Sequence, residues 1–443
     1  MMFPVWGASQ EAPTEELEEV VVAHSRVLHA DDIRFLVEEA KGLLEQKELD
    51  YVFVKEKRRE VLRGRPVIYA AWSENEHRWH FVELEVPVYL WKSGWKPGDS
   101  PPPFRVITSG YEVEHDRGLG AERLMFRISY KGERLRVFGR KFPTFDSALL
   151  ARGKWRQAAK DAVSITYLPF TEDAFDMGLV REGWLYLFAS AHKALGELRA
   201  LGVRSFITDD LTIADTVPPE ILVAYALIEQ VDQQRFRDDP MDALHEVLNQ
   251  YGLMRSDAFR FSVSSASAVG PLQWTDNGPK GTYRMIVRRC ANAKLIRDFQ
   301  TGATNHGNAF KATACLHDLE VASLSDELEK TYLLFPQVLG IFPVSAYNGG
   351  YKYSSALYGW LKKRNIPLSS LSFPPAPFHE ANIECPCIWR VSTDGGIIPE
   401  TIPQLIKVRK RRGVPVWDPN ENRWYIEKYL SYMPLIMSVG RDF

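Results

Sequence analysis

Several things are scarce in this chain of 443 residues. Its 4 cysteines are too few for a disulfide scaffold of this length, and four sulfurs permit three pairings. Cys290 and Cys315 are the better candidates for a bond; Cys385 and Cys387, in the run ECPC, sit too close for an easy mutual disulfide and lack CxxC spacing. No excess of one charge is present: 55 Lys and Arg against 57 Asp and Glu leave −2, which argues against a nucleic-acid duplex or an anionic membrane as the main partner. No long apolar run survives either, since the stretch from Tyr332 to Tyr347 is broken by Pro336, Gln337 and Pro343. His306, His317 and His379 lack metal-ligand spacing and read as structural or surface residues, so neither a metal nor a cofactor is expected. Gly118-Leu119-Gly120 lacks the third glycine and following helix of a dinucleotide loop, and no internal repeat or low-complexity tract is evident.

What is present divides the chain. The first residues, MMFPVWGASQEAPTEELEE, pass from a short apolar piece into a polar Pro/Glu tract, like the tail of a cleaved export signal. Thr14 to Lys47 reads as helix. From Tyr51 to Phe145 β-branched and aromatic runs alternate with polar residues, and Lys131-Gly132 looks like a hairpin turn. The expected fold class is α+β: a mixed α+β domain over 14–145 with no recognisable chemistry, a helical connection over 146–204, and a mainly helical domain over 205–443. Aromatic residues, 12% of the chain, suit both a core and stacking on sugar rings. The basic run Lys407 to Arg412 reads as a solvated face.

The second half carries the candidate chemistry. In TVPPEILVAYALIEQVD, Asp215 or Thr216 serves as N-cap and Pro218-Pro219 opens a helix. Leu222, Tyr225 and Glu229 fall at i, i+3 and i+7, which puts the carboxyl group on an apolar stripe. Desolvation there would raise a glutamate pKa toward what acid catalysis at a glycosidic oxygen requires. Downstream, Ser264 to Gln273 packs small residues around Gly270 and ends in an amide suited to hydroxyl or N-acetyl groups. Ala346-Tyr347-Asn348-Gly349-Gly350 sets a phenol and an amide at a glycine-ended turn, making Tyr347 a candidate hydrogen-bond partner for the glutamate.

These segments, in this order, resemble the lysozyme-like lytic transglycosylases that act on bacterial peptidoglycan. SSASAVGPLQ is similar to the family's serine, small residues, Gly-Leu-Met-Gln signature, and AYNGG to its Ala-Tyr-Asn-Ala-Gly turn. LIEQVD looks like the glutamate-bearing helix of the branch with a longer insertion after the catalytic residue. NENRWYIEKYL is similar to the closing Glu-Thr-x-x-Tyr-Val helix, with Glu421 and Tyr425 at the matching places. The likeness runs from about Ser205 to Leu430. Ser267 stands where the family usually has glycine, Pro271-Leu272 replaces Leu-Met, and Asn422 replaces threonine.

The resemblance implies a mainly helical lysozyme-like domain that cleaves the MurNAc-GlcNAc β-1,4 bond with formation of 1,6-anhydro-MurNAc. Glu229 would be the single general acid and base, with Ser264, Gln273, Tyr347, Asn348 and Tyr425 as substrate-binding residues. It further implies peptidoglycan glycan strands as partner, no nucleic acid, a location in the periplasm or cell envelope, and an N-terminal domain free to dock on an envelope or secretion machine. Two alternatives stay open. A hydrolytic lysozyme would want a second carboxylate to position water, for which Asp232 and Asp276 are candidates. A non-catalytic wall-binding or scaffolding component would use the same surface without cleavage.

Overall fold

The computed structural model describes residues 28–56, 59–88, 103–117, 124–263, 267–276, 281–347, 350–374, 387–392, 394–403, 410–411, 414–415 and 421–443. The N-terminal tract, Gly118 to Gly120, His379 and Cys385 lie outside them, as does most of the run from Lys407 to Arg412. The chain is α+β, strand-rich first and helical after.

Helix α1 (Ala30–Glu45) precedes a hairpin, β1 (Phe53–Glu56) with β2 (Arg59–Leu62). An antiparallel sheet follows, from β3 (Arg65–Ser73), β4 (Arg78–Val86), β5 (Arg105–Val106), β6 (Tyr111–Arg117), β7 (Met125–Tyr130) and β8 (Glu133–Thr144), in the order β5-β4-β3-β8-β7-β6. Lys131 and Gly132 form the turn between β7 and β8 with φ of 51° and 81°, the two positive values that a two-residue hairpin of matching twist demands. Helix α1 buries Ile33, Val37, Ala40 and Leu44 in the core it shares with β3 and β8.

After α2 (Ser147–Ala151) and α3 (Trp155–Lys160), residues Val163–Thr166 form β9, paired with the end of β8. The region 146–204 is therefore not purely helical. Four residues of alternating type are too short a signal beside two helical segments, and the exposed edge of β8 recruits them.

The helical half begins with α4 (Met177–Ala200), α5 (Ile213–Thr216), α6 (Pro219–Ile228), α7 (Gln233–Asp238) and α8 (Pro240–Met254). Then come α9 (Thr282–Arg289), α10 (Phe299–Thr304), α11 (His306–Ala322), α12 (Asp326–Leu334), α13 (Pro336–Leu339), α14 (Ile341–Tyr347) and α15 (Lys352–Lys363). A small antiparallel sheet, β10 (Leu371–Ser372), β11 (Cys387–Val391) and β12 (Ile397–Thr401), and a short pair, β13 (Lys410–Arg411) with β14 (Val414–Pro415), precede the last helix, α16 (Glu421–Gly440). Every residue from Ile221 to Ile228 is at most 1% exposed, so α6 is the central helix of this half. Its N-cap is Pro218, correcting the expected Asp215 or Thr216. Those two residues close α5, where the Asp215 carboxylate accepts from the Thr212 backbone N–H at 2.9 Å.

Helices α4 and α8 cross closely because two glycines meet there. A Cβ on Gly183 would lie 2.1 Å from the Leu248 carbonyl oxygen, and one on Gly252 would lie 1.9 Å from that of Leu179. The same pair joins the halves. Asn249 donates to Ala174 O at 2.9 Å and accepts from Asp176 N at 3.0 Å, while Gln250 donates to Leu168 O at 2.8 Å.

Cys290 and Cys315 are bonded, tying the end of α9 to α11 with their Cα atoms 6.3 Å apart. Cys387 is also disulfide-bonded.

Two histidines expected to be structural are buried at the centre. His317 meets Tyr225 Oη through Nδ1 at 3.1 Å and Tyr332 Oη through Nε2 at 2.8 Å. His306 meets Tyr186 Oη through Nδ1 at 2.8 Å and the Ala258 carbonyl through Nε2 at 2.8 Å. Tyr332 gives its proton to Thr216 O, so Nε2–H of His317 donates to Tyr332 and Nδ1 accepts from Tyr225. That network requires a neutral imidazole. Burial lowers His317 to about 3 and His306 to about 4, and raises Glu427 to about 8 and Glu320 to about 7.

Two predictions follow from these contacts. Gly252→Ala must separate α4 from α8 and should lower stability by about 3 kcal/mol or more. Gly196→Ala, within α4 and with open space around it, should be neutral or stabilising by up to about 1 kcal/mol; thermal unfolding of both variants checks the contrast. As for pH, the two histidines stabilise the fold above about 6.5, and that contribution is lost as pH falls toward 4 and 3. The two glutamates contribute below about 4.5 and lose that contribution as pH rises through 7 and 8. Stability should therefore be greatest between about pH 4.5 and 6.5, where the two slopes oppose, and Glu427→Gln should flatten the decline toward pH 8 in denaturant titrations.

Candidate functional site

Glu229 is not on a stripe of an amphipathic helix; it caps the C-terminus of a helix buried on every side. Eight consecutive buried residues leave the chain its first route toward solvent at this point, and the carboxyl group emerges half-buried. Three features hold the segment that follows. Gln230, itself buried, donates from Nε2 to Pro271 O at 2.8 Å and Gly270 O at 3.3 Å. The buried Lys428 ammonium donates to Val231 O at 2.6 Å. Tyr425, one helical turn before Lys428 on α16, donates from Oη to Glu229 Oε2 at 2.6 Å.

The small-residue loop forms a tight hairpin beside the glutamate. Val269 and Trp274 exchange backbone hydrogen bonds of 2.8 and 3.0 Å, and Gly270 N donates to Ser262 O at 3.0 Å. A Cβ on Gly270 would lie 2.2 Å from Ala303 O, and its φ is +80°, so this position admits only glycine. Ser267 has a φ of 62°. This is the place where the related signature usually carries glycine, and the left-handed backbone supplies the physical reason for that preference.

Gln273 closes the hairpin. Its Nε2 donates to Gly270 O at 2.7 Å and Ser262 Oγ at 3.2 Å, so both amide hydrogens are used within the loop and its amide oxygen is the group left to meet a ligand. Tyr347 does not bond the glutamate as expected. Its single hydroxyl proton goes to Leu272 O at 2.5 Å, and the ring packs 4.7 Å from that of Tyr225 and 5.9 Å from that of Trp274. Burial holds the Tyr347 phenol well above its ordinary pKa, and the nearby Glu229 carboxylate adds to the effect. Burial likewise raises the Tyr251 phenol, with Tyr186, Tyr167 and then Glu229 adding to the effect. Ser264 and Asn348 lie outside the described residues.

The helix expected to close the site is anchored by its departure from the related motif. Asn422 donates to Ser345 O at 2.6 Å and accepts from Ser345 Oγ at 3.3 Å, which fixes the start of α16 to the end of α14 just before Tyr347. Glu229, Gln273, Tyr347 and Tyr425 thus come from α6, the hairpin, α14 and α16 to one region. Asp232 is occupied as the N-cap of α7, accepting from Gln234 N at 2.8 Å and Arg235 N at 3.1 Å. Asp276 is ion-paired with Arg284 at 2.8 Å. Among the described residues no group of three or more His, Cys, Asp or Glu could hold a metal ion, and no helix there is long and apolar enough to cross a membrane.

The chain matches no protein-family model, no curated protein and no solved structure. The resemblance noted in the sequence therefore rests on the four motifs alone.

Gln230 and Lys428 escape the sequence reading, which marks Asn422 only as a departure from the closing motif. Gln230 adjoins the glutamate and Lys428 lies three residues after Tyr425, so adjacency was a signal, but their backbone acceptors are set only by tertiary packing. The loop gives a direct test: thermal unfolding of variants at Ser267 should rank glycine at or above serine, by up to about 1 kcal/mol, and Ser267→Val below both, because a β-branched side chain is strained at this φ.

Proposed function

We propose that the protein is a peptidoglycan lytic transglycosylase with Glu229 as its single general acid and base. The observation that carries this reading is the 2.6 Å hydrogen bond from Tyr425 to Glu229, which joins the glutamate-bearing helix to the closing helix across 196 positions of sequence. The hairpin latched by Gln230 and the Tyr347 ring complete the surroundings that the motif order implies.

In this mechanism Glu229 protonates the glycosidic oxygen between MurNAc and GlcNAc. The bond from that oxygen to C1 breaks, positive charge spreads over C1 and the ring oxygen, and a carboxylate is left on the enzyme. The Tyr425 hydroxyl, already donating to Oε2, stabilises that carboxylate. Glu229 then takes the proton of the 6-hydroxyl of the same MurNAc, and O6 closes on C1 to give the 1,6-anhydro ring. Gln273 through its amide oxygen, Tyr347 and Tyr425, with Ser264 and Asn348 by resemblance, would line the sugar subsites.

Hydrolysis would instead require a carboxylate that positions water. Asp232 is committed to a helix cap, and the Asp276 side chain is buried with its Oδ2 paired to Arg284. On this reading the protein works in the periplasm or cell envelope, where its substrate is, and the sheet domain is available to a protein of an envelope machine.

Digestion of purified peptidoglycan, with soluble muropeptides resolved by mass spectrometry, tests the proposal. The wild type should release anhydro-muropeptides, Glu229→Gln should slow release by about 10²–10⁴-fold, and Tyr425→Phe should slow it by about tenfold. Reducing-end products would identify a lysozyme, and no release by the folded wild type would identify a wall-binding or scaffolding protein.

A further inference from the structure

A concave site lies in the first half of the chain, built on elements that do not contribute to the surroundings of Glu229. The α2–α3 turn and the β1–β2 hairpin border an open recess of about 450 Å³ lined by Arg59, Glu60, Arg152, Lys154, Trp155 and Arg156. Among the described residues, four cations and one carboxylate line it, in a chain whose formal charge is −2.

The single carboxylate is already compensated. Arg156 donates to Glu60 from both Nε and Nη2, the latter at 2.7 Å, while its guanidinium lies 4.7 Å over the Phe53 ring. Lys55 is the cross-strand partner of Glu60 and adds its own attraction. Arg156 is thereby a fixed wall of the recess and Glu60 has no charge to spare. Arg59, Arg152 and Lys154 are exposed and make no ion pair among the described residues.

The backbone holds two of these cations in a defined place. Gly153, at φ +71°, ends α2, with its N–H on Leu150 O at 3.0 Å and that of Lys154 on Leu149 O at 2.9 Å. Arg152 and Lys154 flank that turn, and the half-buried Trp155 follows at once. An indole supplies a flat face on which a sugar ring stacks. The cations call for an anion that several donors can share, which a phosphate meets better than a carboxylate because it carries more charge and more acceptor oxygens. The volume is that of a small-molecule site.

We propose that this recess binds a phosphorylated sugar, its phosphate held by Arg59, Arg152 and Lys154 and its ring set against Trp155. The site is separate from Glu229 and does not depend on the reaction proposed there.

Isothermal titration calorimetry on the full chain, at about 20 mM salt, tests this with glucose 6-phosphate, glucose and inorganic phosphate as probes. The wild type should bind glucose 6-phosphate more tightly than inorganic phosphate and should not bind glucose. The double charge reversal Arg152→Glu with Lys154→Glu, at two exposed positions, should weaken glucose 6-phosphate by more than about tenfold with the melting temperature unchanged. Trp155→Leu should weaken glucose 6-phosphate and leave inorganic phosphate unaffected. Failure of the wild type to bind glucose 6-phosphate overturns the proposal, as does binding that survives the charge reversal. Equal affinity for the sugar phosphate and for inorganic phosphate removes the role of Trp155. Sedimentation with anionic phospholipid vesicles, without binding of the sugar phosphate, would assign the cations to a membrane surface instead.

Discussion

The helical half depends on how one wholly apolar helix ends. Residues 221–228 have no polar face, so α6 can exist only when other elements surround it, and the first polar groups after it must be met by partners from those same elements. Gln230 finds carbonyls of the hairpin, the Val231 carbonyl finds Lys428, and the Glu229 carboxylate finds Tyr425. The constraint that satisfies a helix end thus assembles the candidate site. The result is a half-buried carboxyl group at the end of an apolar helix with a phenol donating to it.

The surrounding framework is built to keep those partners in register. Tyr225, His317 and Tyr332 form a buried chain of hydrogen bonds that reaches the Thr216 carbonyl, just before α6 begins. Asn422 ties α16 to α14, and the bond between Cys290 and Cys315 ties α9 to α11. Each of these links joins segments distant in sequence, and several of them border either Glu229 or the hairpin. Burial of two neutral histidines and two carboxyl groups makes the same core sensitive to pH from both sides. Close contact of α4 with α8 through Gly183 and Gly252 then lets Asn249 and Gln250 reach the backbone of the sheet half. The sheet half itself offers a basic recess with an aromatic wall, a chemistry distinct from that around Glu229.

Much of the architecture was legible in the chain. Alternating β-branched residues marked the sheet, a Lys-Gly pair marked its hairpin, and the run PPEILVAYALIE marked the helix that carries the glutamate, because periodicity and turn chemistry are local properties. The strand Val163–Thr166 and the caps at Thr212 and Pro218 were not, since a four-residue segment takes its state from the edge it pairs with and a cap from where packing stops the helix. Tyr347 illustrates the same limit at the candidate site. The sequence pointed to Tyr347 as the partner of Glu229, and nothing local said that Leu272 would take the proton of Tyr347 and leave Glu229 to Tyr425.

Sequence by itself determined which residue types were available: an acid after an apolar run, small residues around a glycine, and a serine where the resembled signature carries glycine. Tertiary structure alone decided which of them meet. Hydrogen bonds between side chains and backbone carbonyls some 40 to 197 positions apart depend on how helices cross, and that geometry is written in no short stretch of the chain.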